Sequence, residues 1–330
     1  MSTRRRSIYL SAGPEAGGLL ILAIWSVCML TTFAVILSYG VRQKVSLVKR
    51  LDDRDKLRYV ADACVKQAII DIKRLVETGE EDENRNWIAA MSAEKKSEVG
   101  EGTIVYAIID EERKININTA NQAILENIFK LTGGLGEMDA QNIAASIIDW
   151  RDEDSMLSIA DGSAEDRYYG FEHYPYGAMD REIEVLDEVV LIKDFTPELL
   201  RDTRDYITIY GDGKVNINTA PEEVFIALGL SEDLAGIISL YRNGEDGIAG
   251  TIDDYIFDKH AKIVPDLSKF YPMSESRLAN LTQVVNKHLA VDSNFFTVKG
   301  KATLGKRKVF DELSCVIDRS GRVIYWHESL

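Results

Sequence analysis

The chain has 330 residues, a formal charge of −15 and a charged fraction of 28%. That length allows two or three domains with cores of their own, and that acidity counts against a protein that grips a nucleic-acid backbone through Lys and Arg. Three cysteines (Cys28, Cys64 and Cys315) are too few for a disulfide scaffold, and four scattered histidines (His173, His260, His288 and His327) show neither the spacing nor the cysteine partners of a zinc site.

Arg4, Arg5 and Arg6 form a basic head. Ala16–Val41 carries no charge, and Leu19–Tyr39 is nearly all apolar. At 1.5 Å per residue the latter stretch spans roughly 30 Å, the thickness of a bilayer's hydrocarbon core. It is long for a signal-peptide core and no Ala-x-Ala site follows it, so it reads as a retained membrane helix. Loop charge leaves the orientation open, because Arg42, Lys44, Lys49 and Arg50 compete with the basic head. Beyond it, Leu57, Ala61, Cys64, Ala68, Ile72 and Leu75 recur at helical spacing as one apolar seam. No proline falls between residues 15 and 174. A single helix from Gly18 to about Glu77, roughly 90 Å long, is therefore expected, its lower half in lipid and its upper half packed on a domain.

An internal repeat follows. Residues 114–120 read Lys-Ile-Asn-Ile-Asn-Thr-Ala and residues 214–220 read Lys-Val-Asn-Ile-Asn-Thr-Ala. Each copy follows a β-rich run and a polar turn: Thr103–Ile109 then Asp110–Arg113, and Tyr206–Tyr210 then Gly211–Gly213. The Ile/Val-Asn-Ile alternation predicts a short strand, and Asn118-Thr119 and Asn218-Thr219 offer side chains to cap the next helix. Ala140, Ile143, Ala144, Ile147 and Ile148 form one helical stripe, and Leu234, Ile237, Ile238 and Tyr241 form its counterpart. Gly134-Leu135-Gly136 and Gly229-Leu230 supply turns that tolerate positive φ. Each unit reads as a strand followed by a helix-hairpin-helix. Such hairpins serve either as packing modules or as nucleic-acid backbone binders. Glu137 and Asp139 beside the first, with Glu232 and Asp233 beside the second, favour packing. Toward the C-terminus, Phe295–Leu304, Lys308–Asp318 and Val323–Trp326 alternate with turn residues between them, an antiparallel meander.

Acidic clusters invite a calcium reading, since calcium takes six to eight oxygen ligands gathered in loops. One candidate set is Asp152, Asp154, Glu165 and Asp166, with Asp187 and Glu188 downstream. Another is Glu245, Asp246, Asp253 and Asp254 in a glycine-rich loop. Neither follows EF-hand spacing, and a solvated acidic loop is the bland alternative for each. Asp149-Trp150-Arg151-Asp152 reads as an Arg–carboxylate network at a helix end. Tyr168, Tyr169, Tyr174 and Tyr176 make an aromatic loop that suits a core or a partner surface equally. No Gly-x-Ser-x-Gly, P-loop or dinucleotide fingerprint occurs, so the chain reads as non-enzymatic.

The basic leader ending at Gly17, the apolar Gly18–Trp25 start of a long helix and the small-residue run Tyr59–Ala63 are similar to a type IV pilin-like prepilin. With the two Asn-Ile-Asn-Thr-Ala units, Asp149–Asp154 and Ala164–Tyr169, the chain resembles the type II secretion minor pseudopilin K family (GspK). The resemblance implies cleavage by a prepilin peptidase after Gly17, or after Gly18, followed by N-methylation. It implies Leu22 (or Ala23) where most pilins carry glutamate, an absence known for this family. It implies calcium bound in the helical domain, and placement at the tip of a pseudopilus that exports folded proteins across the outer membrane. Other minor pseudopilins are the implied partners, through the seam Leu57–Leu75 and the sheet edge. The implied location is the bacterial inner membrane, crossed once, with the bulk of the chain in the periplasm. The alternative is a membrane-anchored helix-hairpin-helix DNA-binding protein, which the charge disfavours.

The expected fold is α+β. A long N-terminal transmembrane helix packs on an antiparallel pilin-like sheet, into which an all-α domain of two helix-hairpin-helix (SAM-like) repeats is inserted. The expected boundaries are 1–17 for the leader, 18–77 for the helix and 78–113 for the first part of the β domain. The helical insertion takes 114–290, with repeats near 114–154 and 214–246, and the last strands take 291–330. Which repeat strands join the main sheet is left open.

Overall fold

The computed structural model describes residues 15–77, 94–248, 251, 253–305 and 307–329. The expected leader up to residue 14 and the expected boundary at residue 78 lie outside that set. One helix, α1, runs from Glu15 to Glu77 without a break. Its stretch from Gly18 onward is long and apolar enough to cross a membrane. The chain divides into two compact units, residues 1–59 and 60–330.

In the second unit, β1 (Lys95–Val99), β2 (Gly102–Asp110), β7 (Phe295–Leu304), β8 (Arg307–Asp318) and β9 (Val323–Ser329) form an antiparallel sheet in the order β1-β2-β7-β8-β9. Strands β2 and β7 are neighbours, yet the whole helical region lies between them in sequence. Burial along β2 alternates, with Ile104, Tyr106 and Ile108 on the inner face as period-2 geometry requires. Val60, Ala61, Cys64, Ala68 and Ile72 of α1 are buried in the same unit. A side chain at Gly300 of β7 would place its Cβ 2.6 Å from Cys64 Sγ, so only glycine admits the helix this close. Ala61, Cys64, Ala68 and Ile72 therefore serve as internal helix–sheet packing rather than the open partner surface expected from the seam. Leu57 falls in the first unit, and the side chain of Leu75 lies outside the described residues.

The first repeat comprises β3 (Ile115–Asn116), α2 (Gln122–Gly133) and α3 (Glu137–Arg151). A one-turn helix α4 (Asp166–Tyr169) and then α5 (Pro197–Thr203) lead to β4 (Ile207–Thr208). The second repeat comprises β5 (Val215–Asn216), α6 (Glu222–Ala227) and α7 (Glu232–Arg242), followed by α8 (Ile263–Phe270), α9 (Glu275–His288) and β6 (Leu289–Ala290). Both repeat strands stay out of the main sheet. β3 pairs in parallel with β4, and β5 pairs in parallel with β6. The turns after α2 and α6 hold Gly134 (φ 63°) and Gly229 (φ 100°) in the left-handed region. Helix capping departs from expectation. Asn121, not Asn118 or Thr119, caps α2 by accepting the Ile124 N–H at 3.0 Å, and Pro221 begins α6 with no side-chain cap.

The asparagines instead bind the chain to itself. Asn116 Oδ1 and Asn216 Oδ1 each accept the N–H two residues on, at 2.8 and 3.0 Å. Asn118 grips Ile183, accepting its N–H at 2.9 Å and donating to its carbonyl at 3.0 Å. Asn218 grips Phe257 the same way and also donates to the Val291 carbonyl. Arg151, at the end of α3, donates to the carbonyls of Ile117 and Ala120, and Arg242, at the end of α7, donates to those of Ile217 and Ala220. The expected Arg–carboxylate network at Arg151 is thus replaced by carbonyl contacts. Around these brackets Leu125, Ile128, Phe129, Ile147, Trp150, Phe225 and Ile238 fill a shared apolar core.

Candidate metal centre

The end of α3 and the start of α4 converge on one point. Asp152 follows the last residue of α3, Asp154 lies two residues on, and Glu165 precedes α4. One carboxylate oxygen from each lies within 4.8 Å of the others. Asp152 Oδ1 and Glu165 Oε1 are buried and accept no hydrogen bond. An acceptor in that state costs free energy unless a cation or water meets it. Burial, reinforced by Asp149 and Asp152, pushes the Glu165 carboxyl up to about 7. Burial also raises Asp152, with Asp154 and Asp149 adding to the effect. Like charges held this close favour either a proton or a metal ion. The donor set is all oxygen, with no sulfur or imidazole, which suits a hard divalent cation.

Asp166, Asp187, Glu188, Asp246, Asp253 and Asp254 are engaged elsewhere. Asp166 accepts the Ala178 N–H at 2.9 Å. Asp187 pairs with Arg204 at 2.9 Å, and Glu188 accepts the Trp150 indole N–H at 3.3 Å. In the second loop Asp253 Oδ2 accepts the N–H groups of Glu245 and Asp246 at 2.8 and 3.1 Å, and Asp246 Oδ1 accepts that of Ile248 at 2.8 Å. Thr251 bonds to Asp253 and Asp254. Asp253, whose hydrogen bond from Thr251 leads the causes, sits below the usual carboxylate range. Among the described residues, only Asp152, Asp154 and Glu165 come together as a group that could hold an ion. Of the ten carboxylates proposed from sequence, three converge.

The aromatic loop is part buried and part exposed. Tyr169 is buried edge-on to Trp150, 5.1 Å between ring centroids, and stacks on Tyr176, whereas Phe171 and Tyr174 are exposed. Lys130, beside the first hairpin, is held by Glu126 and Glu137.

Sequence reading passed over a second acidic constellation as a polar turn. Asp110, Glu111 and Glu112 are all buried where β2 ends. Asp110 Oδ2 accepts from Thr219 at 2.5 Å, Ser293 at 2.7 Å and Asn216 at 3.0 Å. Glu111 pairs with Lys114 at 2.8 Å and accepts from Thr208 and Thr297. Glu112 accepts the Asn294 N–H. Three consecutive acids thereby lace the second repeat and β7 to the end of β2. The signal available in sequence was the run of three acids directly after an alternating strand.

Residues 104–212 match the family model described as "Type II secretion system (T2SS), protein K". No curated protein matches the chain. A similar solved structure is the GspK-GspI-GspJ complex from the enterotoxigenic Escherichia coli type 2 secretion system. The likeness covers 86% of this chain and 99% of that one, at 15% identity and a TM-score of 0.64, and extends to the fold.

Proposed function

We propose that this chain, whose residues 104–212 belong to the type II secretion system protein K family, is a minor pseudopilin, a structural subunit with no reaction of its own. The observation that carries the reading is the helical region placed between neighbouring strands β2 and β7, the first half of which the family model matches. An apolar α1 anchors the subunit in the inner membrane before assembly and packs into the filament afterwards. The rest of the chain lies in the periplasm. Residues 111–294 add bulk between the inner strands β2 and β7, so a subunit carrying them fits at the tip of a pseudopilus rather than within its shaft. Leu22 in place of a carboxylate fits the same position, since it offers no negative partner to a neighbouring N-terminus.

The solved relative was crystallised with GspI and GspJ, and two other minor pseudopilins are the partners we assign here by analogy. Prepilin peptidase is the processing enzyme, cutting after Gly17 or Gly18, with methylation following. A calcium ion is held by Asp152, Asp154 and Glu165, which gives the two orphaned buried oxygens a partner. Asp166 and the carbonyls of the loop are the nearest further oxygens by sequence. The ion's chemistry is structural: it ties the end of α3 to the start of α4.

The test is the intact mass of the membrane-extracted chain with and without co-expressed prepilin peptidase. Loss of the leader plus one methyl group, together with co-purification of two other minor pseudopilins, is expected. An uncut chain that captures neither partner overturns the reading. The nucleic-acid alternative requires salt-dependent DNA binding by the same preparation, and the acidic hairpins predict none.

A further inference from the structure

One stretch of α1 is left unexplained by packing or by pairing. From Ala16 to Leu51 the chain contains no acidic residue. It is uncharged as far as Val41, then places Arg42, Lys44, Lys49 and Arg50 within nine residues, and only then turns acidic at Asp52, Asp53 and Asp55. All four cations are exposed. Among the described residues none of the four forms an ion pair or a side-chain hydrogen bond, and Asp52, one turn beyond Lys49, is held by Lys56 at 3.0 Å instead.

The spacing matches a membrane boundary. Residues 18–41 rise roughly 35 Å as a helix, slightly more than a hydrocarbon core of about 30 Å. Arg42 and Lys44 then stand at headgroup level, a layer about 5–7 Å deep. Lys49 and Arg50 start about 12 Å beyond Val41, and their long side chains can reach back toward the surface. The acids begin roughly 16 Å out, where a Debye length of about 8 Å screens them from the membrane. Arg42 and Lys49 are seven residues apart and so share a helix face, with Arg50 beside them. Leu47, Val48 and Leu51 lie on the other side with Lys44 among them, all exposed. This pattern of cations and apolar residues suits an interface. The same cations lie on the flank where the positive-inside rule expects few, given a periplasmic bulk, so their presence there calls for a favourable partner.

We propose that Arg42, Lys44, Lys49 and Arg50 form a collar that binds anionic phospholipid headgroups on the side of the membrane that carries residues 60–330. The collar rests on the reading that residues 18–41 cross the bilayer. It sets how deeply the subunit sits and opposes its removal from the membrane until assembly draws it out.

The test uses the full-length chain in phosphatidylcholine vesicles containing a minority of phosphatidylglycerol. The readout is the phosphatidylglycerol retained per protein by native mass spectrometry, with carbonate extraction reporting insertion. The wild-type chain is expected to retain at least fivefold more than the R42Q/K44Q/K49Q/R50Q variant, since even one cation near the surface is worth on the order of a fivefold preference, and the excess falls with salt. The D52N/D53N/D55N variant is expected to retain as much as wild type. Equal retention by wild type and the fourfold variant, with both inserted, overturns the collar and leaves the membrane reading standing. A chain that carbonate removes overturns both. If the fourfold variant keeps its lipid but loses the other minor pseudopilins, the cations serve a protein partner and the proposal fails.

Discussion

The two repeats build the same loop twice and give it different chemistry. In each, a helix ends at an arginine that clasps two carbonyls of the segment just after its repeat's strand. An acidic loop follows, and the chain then returns to be held by an asparagine, Asn118 on Ile183 and Asn218 on Phe257. In the first loop two buried carboxylate oxygens accept nothing. In the second, Asp253 and Asp246 accept backbone N–H groups within the loop itself. Both loops are rich in carboxylates, so composition does not distinguish them. What distinguishes them is how many oxygens the fold has already supplied with donors.

The brackets themselves carry the largest expected effect. The Asn218 side chain makes three hydrogen bonds at a fully buried position, and the Asn118 side chain makes two at a half-buried one. Asn218→Ala leaves buried backbone groups without partners and is expected to cost about 3 kcal/mol, against about 2 kcal/mol for Asn118→Ala. Denaturant unfolding of the detergent-solubilised chain measures both. Equal costs would mean that the repeats are held equally and that the extra bond to Val291 contributes nothing.

Calcium comes next. At about a hundred times its Kd the ion is expected to stabilise the chain by about 2.7 kcal/mol. Asp152→Asn or Glu165→Gln removes most of that gain while leaving the ion-free chain no less stable, because each variant relieves repulsion among the carboxylates. Thermal melts with and without calcium decide the matter. A calcium response that survives both substitutions would move the site out of the first loop.

Much of this was legible in the sequence. The uncharged run predicted the long apolar helix, and alternation gave the first two C-terminal strands nearly to the residue and the start of the third. The near-identity of residues 114–120 and 214–220 exposed the duplication. Asp187 and Glu188 were misplaced because their partners, Arg204 and Trp150, approach from other parts of the chain, and no spacing rule carries that information. The asparagines were misread as caps for a related reason: Asn is favoured both at helix starts and wherever a backbone amide must be matched, and only the returning chain shows which role applies. The seam on α1 had the right period for burial, but periodicity does not name the surface that buries it.

The acids at the end of β2 extend the same rule to a third place and yield a pH prediction. Asp110 is met by four donors, its Oδ1 taking the Glu112 N–H at 2.9 Å. Among the described residues, Glu112 is met by the backbone N–H groups of Asn294 and Phe295. Burial, with Asp110 and Asp212 adding repulsion, pushes Glu112 from its ordinary 4.5 up to about 7. The folded chain therefore holds this proton more tightly than the unfolded chain does. Its contribution to stability is full below pH 4.5 and is lost as the pH rises through 7. Glu112→Gln is expected to flatten that dependence by about 2 kcal/mol and to leave the variant more stable than wild type above pH 7. An unchanged slope in pH-dependent unfolding would show that Glu112 is as well supplied with donors as Asp110.

The smallest effect is expected where the second loop is most acidic. Asp253 lies at the surface, and its carboxylate organises the turn through Glu245, Asp246 and Thr251. Asparagine keeps one acceptor oxygen in the same place, so Asp253→Asn preserves part of that set. Its removal of charge is expected to change neither the melting temperature nor the calcium-induced shift. Hydrogen exchange at the Glu245 and Asp246 amides should quicken, because the oxygen that accepts both is weakened as an acceptor when it loses its charge. If Asp253→Asn instead abolishes the calcium shift while Glu165→Gln leaves it intact, the second loop binds the ion and the unpartnered oxygens of the first are met by water.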